Sequence, residues 1–200
     1  MPDHDHGHSE HANAQHHSDA HVIRGAAIAE EAHAEGYFTV ECFGPDGELK
    51  WRDTVENTVV TVGKNLMLDT ALAGSGYSVV GPFIGLISSV SYSAIAAGDT
   101  MTSHAGWTEA GGANAPTYTA PRKTAAWSPA SGGSKALSAA LSYAITGTGT
   151  VKGCFVVYGS GAVSTIDNTG GVLWSAGLFS GGDKAVGSGD TLNVNYSTSL

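Results

Sequence analysis

Residues 191–200 read TLNVNYSTSL. Leu192, Val194 and Tyr196 fall on one side of an extended chain, and Asn193, Asn195 and Ser197 on the other. A period of two marks a strand with one face in a core and one in water. The same pattern recurs upstream. In KALSAALSYAIT (135–146), Leu137, Ala139, Leu141, Tyr143 and Ile145 alternate with small residues. TVKGCFVVYG (150–159) and GVLWSAGLF (171–179) are more continuously apolar and predict strands with little exposed face. Gly-rich turns separate these runs, so the second half of the chain predicts antiparallel strands.

The first half extends the pattern. In YFTVECF (37–43), Phe38, Val40 and Cys42 share a face. GPDG (44–47) follows, with Pro at the first central turn position and Asp-Gly behind it. ELKWRD and TVENTVVTV then predict the return strand of a hairpin, with Trp51 and Leu49 on its buried side. VGKNLMLDTALAG (62–74) predicts a helix carried by Leu66, Met67, Leu68 and Leu72 and stopped by Gly74. GPFIGLISSV (81–90) predicts a buried strand. AAGDTMTSHAGWTEAGG (96–112) predicts a loop with a short helical turn, anchored by Trp107. TYTAPRKTAAWSPA (117–130) is strand-like but broken by Pro121, which suits an edge or a bulge. About eight strands with one helix, and no regular strand–helix alternation, predict a mainly β fold. The expected form is an antiparallel β-sandwich of jelly-roll type.

Composition agrees with that class. The chain has 28 Gly in 200 residues and only 14% charged residues, too few for a helical bundle. Net charge is −9, concentrated at the front. Residues 1–36 hold Asp3, Asp5, Glu10, Asp19, Glu30, Glu31 and Glu35 against Arg24 alone. With no basic stripe to displace phosphate counterions, nucleic acid is not an expected partner. No apolar run is long enough to span a bilayer, and the polar, acidic start does not read as a signal peptide. Synthesis in a bacterial cytoplasm is the expectation. Cys42 and Cys154 lie in apolar runs and are expected as buried free thiols.

Residues 1–35 are expected as an arm and 36–200 as the folded domain. The first 21 residues, MPDHDHGHSEHANAQHHSDAH, contain seven histidines. His4, His6 and His8 alternate, and His17 and His21 are one helical turn apart, so the tract has some affinity for Zn²⁺ or Ni²⁺. Nothing around these five supplies the rigid shell that catalysis requires. Neither a cofactor nor a built metal site is expected. The competing reading is an arm that orders against a neighbouring subunit, with a contact sensitive to pH at about 6–7. Residues 22–35, VIRGAAIAEEAHAE, predict a short helix.

There is no G-x-S-x-G elbow, phosphate loop, C-x-x-C or H-E-x-x-H. GTGTVKG (147–153) reads as a hairpin turn. Beyond the front segment His104 is the one histidine; a dyad with Glu109 or Asp99 is conceivable, and a packed loop histidine is the simpler reading. Asp183 and Asp190 flank a turn and are expected to accept local backbone amides.

Several long stretches resemble small virion proteins of short-tailed bacteriophages. They are YFTVECFGPDGELKWRDTVENTVV (37–60), VGKNLMLDTALAG, FIGLISSVSYSAIAAGDTMTSHAGWTE (83–109) and LWSAGLFSGGDKAVGSGDTLNVNYSTSL (173–200). GDTMTSHAGWTE and SGDTLNV are the most specific phrases; the His-rich front is outside the resemblance. The resemblance implies a non-enzymatic component of a phage particle and transfers no site residue. A capsid decoration or cement protein fits best, bound to the major capsid protein as a homo-oligomer. A tail-fibre anchor or other tail or neck component, bound to tail proteins, is the alternative. A third reading is a carbohydrate-binding module, which requires exposed aromatics in one patch from among Trp51, Trp107, Trp127 and Trp174.

Overall fold

The GPDG turn closes as its residues demand. Gly47 takes φ +82°, and its amide bonds the Gly44 carbonyl at 2.9 Å. It joins β1 (Glu35–Phe43) to β2 (Leu49–Val59) as an antiparallel hairpin. The structure is a computed structural model that describes residues 34–71 and 80–199. Of the predicted helix at 22–35, all but the last two residues lie outside the described part, and Glu35 is the first residue of β1.

The helix α1 (Thr61–Ala71) follows β2 directly. Leu66 is buried, Met67 half-buried, and Leu68 faces water. Leu72 and Gly74 lie outside the described residues. The remaining strands are β3 (Phe83–Ser88), β4 (Lys123–Thr124), β5 (Ser134–Ala136), β6 (Leu141–Ala144), β7 (Gly149–Tyr158), β8 (Val172–Phe179), β9 (Lys184–Val186) and β10 (Thr191–Ser199).

Among the described residues these ten strands form one antiparallel sheet. Its order is β4-β3-β7-β8-β2-β1-β10-β5, with β6 also on β10 and β9 also on β7. The sheet curls into a half-barrel. The curl carries β6 round to face β3: the Tyr143 hydroxyl donates to the Ile84 carbonyl at 2.7 Å. Beside it the Thr119 amide donates to the Ala144 carbonyl at 2.9 Å.

Alternation sorts the side chains into two cores. Phe38, Val40 and Cys42 of β1, Leu192, Val194 and Tyr196 of β10, and Ile84 and Leu86 of β3 point inward. Phe155 and Val157 of β7, Leu173 and Ala176 of β8, and Ile87 of β3 point outward, where Met101 and Trp107 of the β3–β4 connection cover them. β7 and β8 are therefore buried on both faces, which is why their sequences are continuously apolar. Helix α1 sits on β8 at close range, since a Cβ on Gly63 would lie 2.4 Å from the Trp174 carbonyl oxygen.

Five local expectations need correction. GTGTVKG is not a hairpin turn: residues 149–153 open β7, and β6 before it pairs with β10 rather than with β7. KALSAALSYAIT is not one strand. Residues 138–140 are exposed, and β5 and β6 pair separately with the two ends of β10. Leu49 is 52% exposed and Trp51 half-buried, because the hairpin end of β2 projects past the core. The 96–112 connection has turns but no helix. Asp183 does not serve the local backbone but pairs with Lys152 of β7. Pro121 does precede a two-residue strand at the end of the sheet, as its position requires.

Candidate functional site

The β3–β4 connection carries Asp99, His104, Trp107 and Glu109, and the structure separates their roles. Trp107 is 1% exposed. Its indole Nε1 donates to Asp99 Oδ2 at 3.0 Å, and the same oxygen accepts the Ala96 amide at 2.9 Å. The His104 ring stacks on Trp107 with centroids 4.0 Å apart, and its Nδ1 lies 3.0 Å from the Trp107 carbonyl oxygen. The imidazole thus partners a ring and a carbonyl rather than either acid. This is the packed loop histidine.

Glu109 belongs to a second buried network. Arg122, itself 1% exposed, grips it at both oxygens: Nε to Oε1 at 2.8 Å and Nη2 to Oε2 at 2.6 Å. The Asp167 amide also donates to Oε2, at 2.8 Å. Arg122 donates onward to the carbonyls of Val163 at 3.2 Å and Asn168 at 2.7 Å. Burial pushes the Glu109 carboxyl above the usual carboxylate range, and the Arg122 guanidinium opposes that rise. A pocket of about 160 Å³ touches both networks. With its oxygens shared between a guanidinium and an amide, Glu109 is committed to tying the 164–168 segment to the sheet.

His4, His6, His8, His17 and His21 lie outside the described residues. Among the described residues no group of three His, Cys, Asp or Glu is placed to hold a metal ion. Cys42 and Cys154 are free and buried. Burial first, and the neighbouring Asp190 second, push the Cys42 thiol up to about 11; burial alone raises that of Cys154. Asp190 accepts the Gly187 amide at 2.8 Å, the local bond its turn position predicts, and also Lys50 Nζ at 2.5 Å. Among the described residues no helix is long and apolar enough to cross a membrane.

Among the described residues an apolar cleft of about 540 Å³ opens on the domain. It lies where the curled sheet leaves β10 and β5 apart from β7 and β8, with α1 along one side. Trp127, Tyr158, Trp174 and Tyr196 are its aromatic walls. The Tyr196 hydroxyl receives Asn57 Nδ2 at 3.0 Å and Trp174 Nε1 at 3.2 Å. Trp127 packs edge-on to Tyr196 at 5.7 Å, and Tyr158 edge-on to Trp174 at 5.6 Å. Sequence reasoning missed this feature, because its residues come from six separated segments. Of the four tryptophans, Trp107 and Trp174 are buried, and Trp51 and Trp127 are half-buried at different places.

No family model, no curated protein and no solved structure matches this chain.

Proposed function

We propose that this chain is a non-enzymatic structural component of a tailed-phage particle, and specifically a protein that decorates the capsid. One observation carries the reading. The two phrases that most specifically resemble phage virion proteins are spent on architecture. In GDTMTSHAGWTE, Asp99 and Trp107 lock the cover over the outer core, and Glu109 ties down a second segment through Arg122. In SGDTLNV, Asp190 joins its turn to Lys50 of β2. Residues used this way build a rigid shell domain, which suits a part repeated many times on a lattice.

The half-barrel is read here as a variant of the jelly-roll sandwich, its two halves facing across the inner core. The acidic, His-rich residues 1–35 are the proposed arm, and the major capsid protein the proposed partner of a homo-oligomer.

Copy number in purified particles, measured by quantitative mass spectrometry against the major capsid protein, tests this. Copies on the order of hundreds support decoration, whereas about six to eighteen indicate a ring of the tail or neck. Absence from the particle overturns the reading. Removing residues 1–33, which spares β1, is expected to leave a folded domain that no longer binds capsids.

A further inference from the structure

We propose that the aromatic cleft binds a small amphiphile with an apolar body and an anionic head. The lining is graded. Val156, Trp174 and Tyr196 are buried and apolar at their exposed edges, whereas Thr70, Ser134 and Lys135 are open to water. Depth therefore selects hydrocarbon, and the mouth selects a polar group. A volume of about 540 Å³ falls within the range of small-molecule sites.

Two observations separate this from a packing defect or a sugar site. The walls are held apart: Tyr196 is fixed by Asn57 and Trp174, and the edge-on ring pairs brace Trp127 and Tyr158, so the space does not close by rotating a side chain. The wall polar atoms Tyr196 Oη and Trp174 Nε1 are bonded to each other. A sugar buried there would leave its hydroxyls short of partners, a cost that a hydrocarbon body avoids. Charge sets the head. Lys135 is the one charged residue in the lining, and among the described residues its ammonium bonds only the neutral Ser128 carbonyl, at 3.2 Å. The proposal holds independently of the virion reading.

The test is fluorescence titration of the full chain with two dyes, anionic 8-anilinonaphthalene-1-sulfonate and neutral N-phenyl-1-naphthylamine, with dodecanoate as a non-fluorescent competitor. Saturable one-to-one binding of the anionic dye, reversed by dodecanoate, is expected. Lys135→Gln is expected to weaken the anionic dye by roughly fivefold and leave the neutral one unchanged. Met67→Trp fills the cleft from α1 and is expected to abolish both. Ala130→Trp at the exposed mouth is the second occluding variant should the first misfold, with near-ultraviolet circular dichroism reporting the fold. Non-saturating binding, or equal binding by a folded occluded variant, overturns the site. Insensitivity to Lys135→Gln overturns the anionic head. A solution structure with residues 72–79 seated in the cleft, and no dye bound, overturns the proposal by giving the space to the chain itself.

Discussion

Arg122 and Glu109 meet as a two-pronged ion pair with both side chains sealed from water, 2.8 Å at one prong and 2.6 Å at the other. Pairs of this kind bring little net stability when intact, because desolvation offsets the attraction, but breaking one strands a buried charge. Arg122→Met is therefore expected to cost about 3–5 kcal/mol, since it leaves Glu109 unpaired and releases the Val163 and Asn168 carbonyls. The double variant Arg122→Met/Glu109→Leu is expected to recover part of that loss. Urea unfolding of the three proteins checks both, and a double variant weaker than the single one contradicts the account.

Trp107 is the lid of the outer core. Trp107→Ala removes a nearly buried indole that packs on Phe155 at 5.2 Å between centroids, and about 3–5 kcal/mol of destabilisation is expected. Trp107→Phe keeps most of the packing but takes the donor from Asp99, which retains the Ala96 amide. A cost of about 1–2 kcal/mol follows for that bond. The pair of values separates packing from hydrogen bonding, and thermal unfolding measures both.

Among the described residues, two carboxylates held below their ordinary pKa weaken the fold when acid protonates them. Desolvation raises Asp190, but Lys50 and the Gly187 amide outweigh it and hold its pKa below the ordinary value. Asp53 behaves likewise: desolvation is overcome by Lys184, Ser180 and the amides of Thr54 and Gly181. A carboxyl with a lower pKa folded than unfolded stabilises the fold above its unfolded pKa, about 3.9 for Asp. That stability is lost as pH falls through the folded value. Asp190→Asn and Asp53→Asn are each expected to lower stability at pH 7 by about 1 kcal/mol. The gap to the parent is expected to narrow as pH falls below the unfolded value of about 3.9 and to close once it is below the folded one. A gap that persists in acid shows that the bonds lost were not charge-dependent.

The sequence makes some of this legible and hides the rest for a physical reason. The β1–β2 hairpin and β10 can be read because their signals are local: a turn triplet, and a period of two with one wet face. The apolar runs of β7 and β8 also announce burial, though not that one face belongs to each of two cores. The break between β5 and β6 is invisible, because Ala and Ser at 138–140 fit an exposed bend as well as a strand. The Arg122–Glu109 pair and the cleft are hidden more deeply. The ion pair joins residues 13 apart through an irregular loop that carries no periodic signal, and the cleft joins residues far apart in the chain, brought together by the curl of the sheet, which no window of ten residues records.

Gly63 tests how closely helix and sheet must approach. A methyl group there meets the Trp174 carbonyl oxygen at 2.4 Å, and backbone cannot swing aside as a side chain can. Gly63→Ala ordinarily favours a helix by about 1 kcal/mol. Here it is expected to destabilise by about 1–3 kcal/mol through overpacking, so the sign itself is diagnostic. A stabilised variant means that α1 does not sit against β8 at this distance.

The seam where the half-barrel turns back on itself makes the most direct claim about shape. Tyr143 of β6 is fully buried, and its hydroxyl reaches the Ile84 carbonyl of β3 across the inner core. Its ring also meets Tyr118 edge-on at 5.1 Å. Tyr143→Phe preserves the ring and deletes the bond, leaving a buried carbonyl with one partner fewer. The expected cost is about 1–2 kcal/mol. Amide hydrogen exchange gives the location: protection is expected to fall first at Thr119 and Thr146, whose amides cross the seam to the carbonyls of Ala144 and Thr117, and to hold in β1 and β2 on the far side. A uniform loss across the sheet, or none at Thr119, means that the hydroxyl does not close the half-barrel.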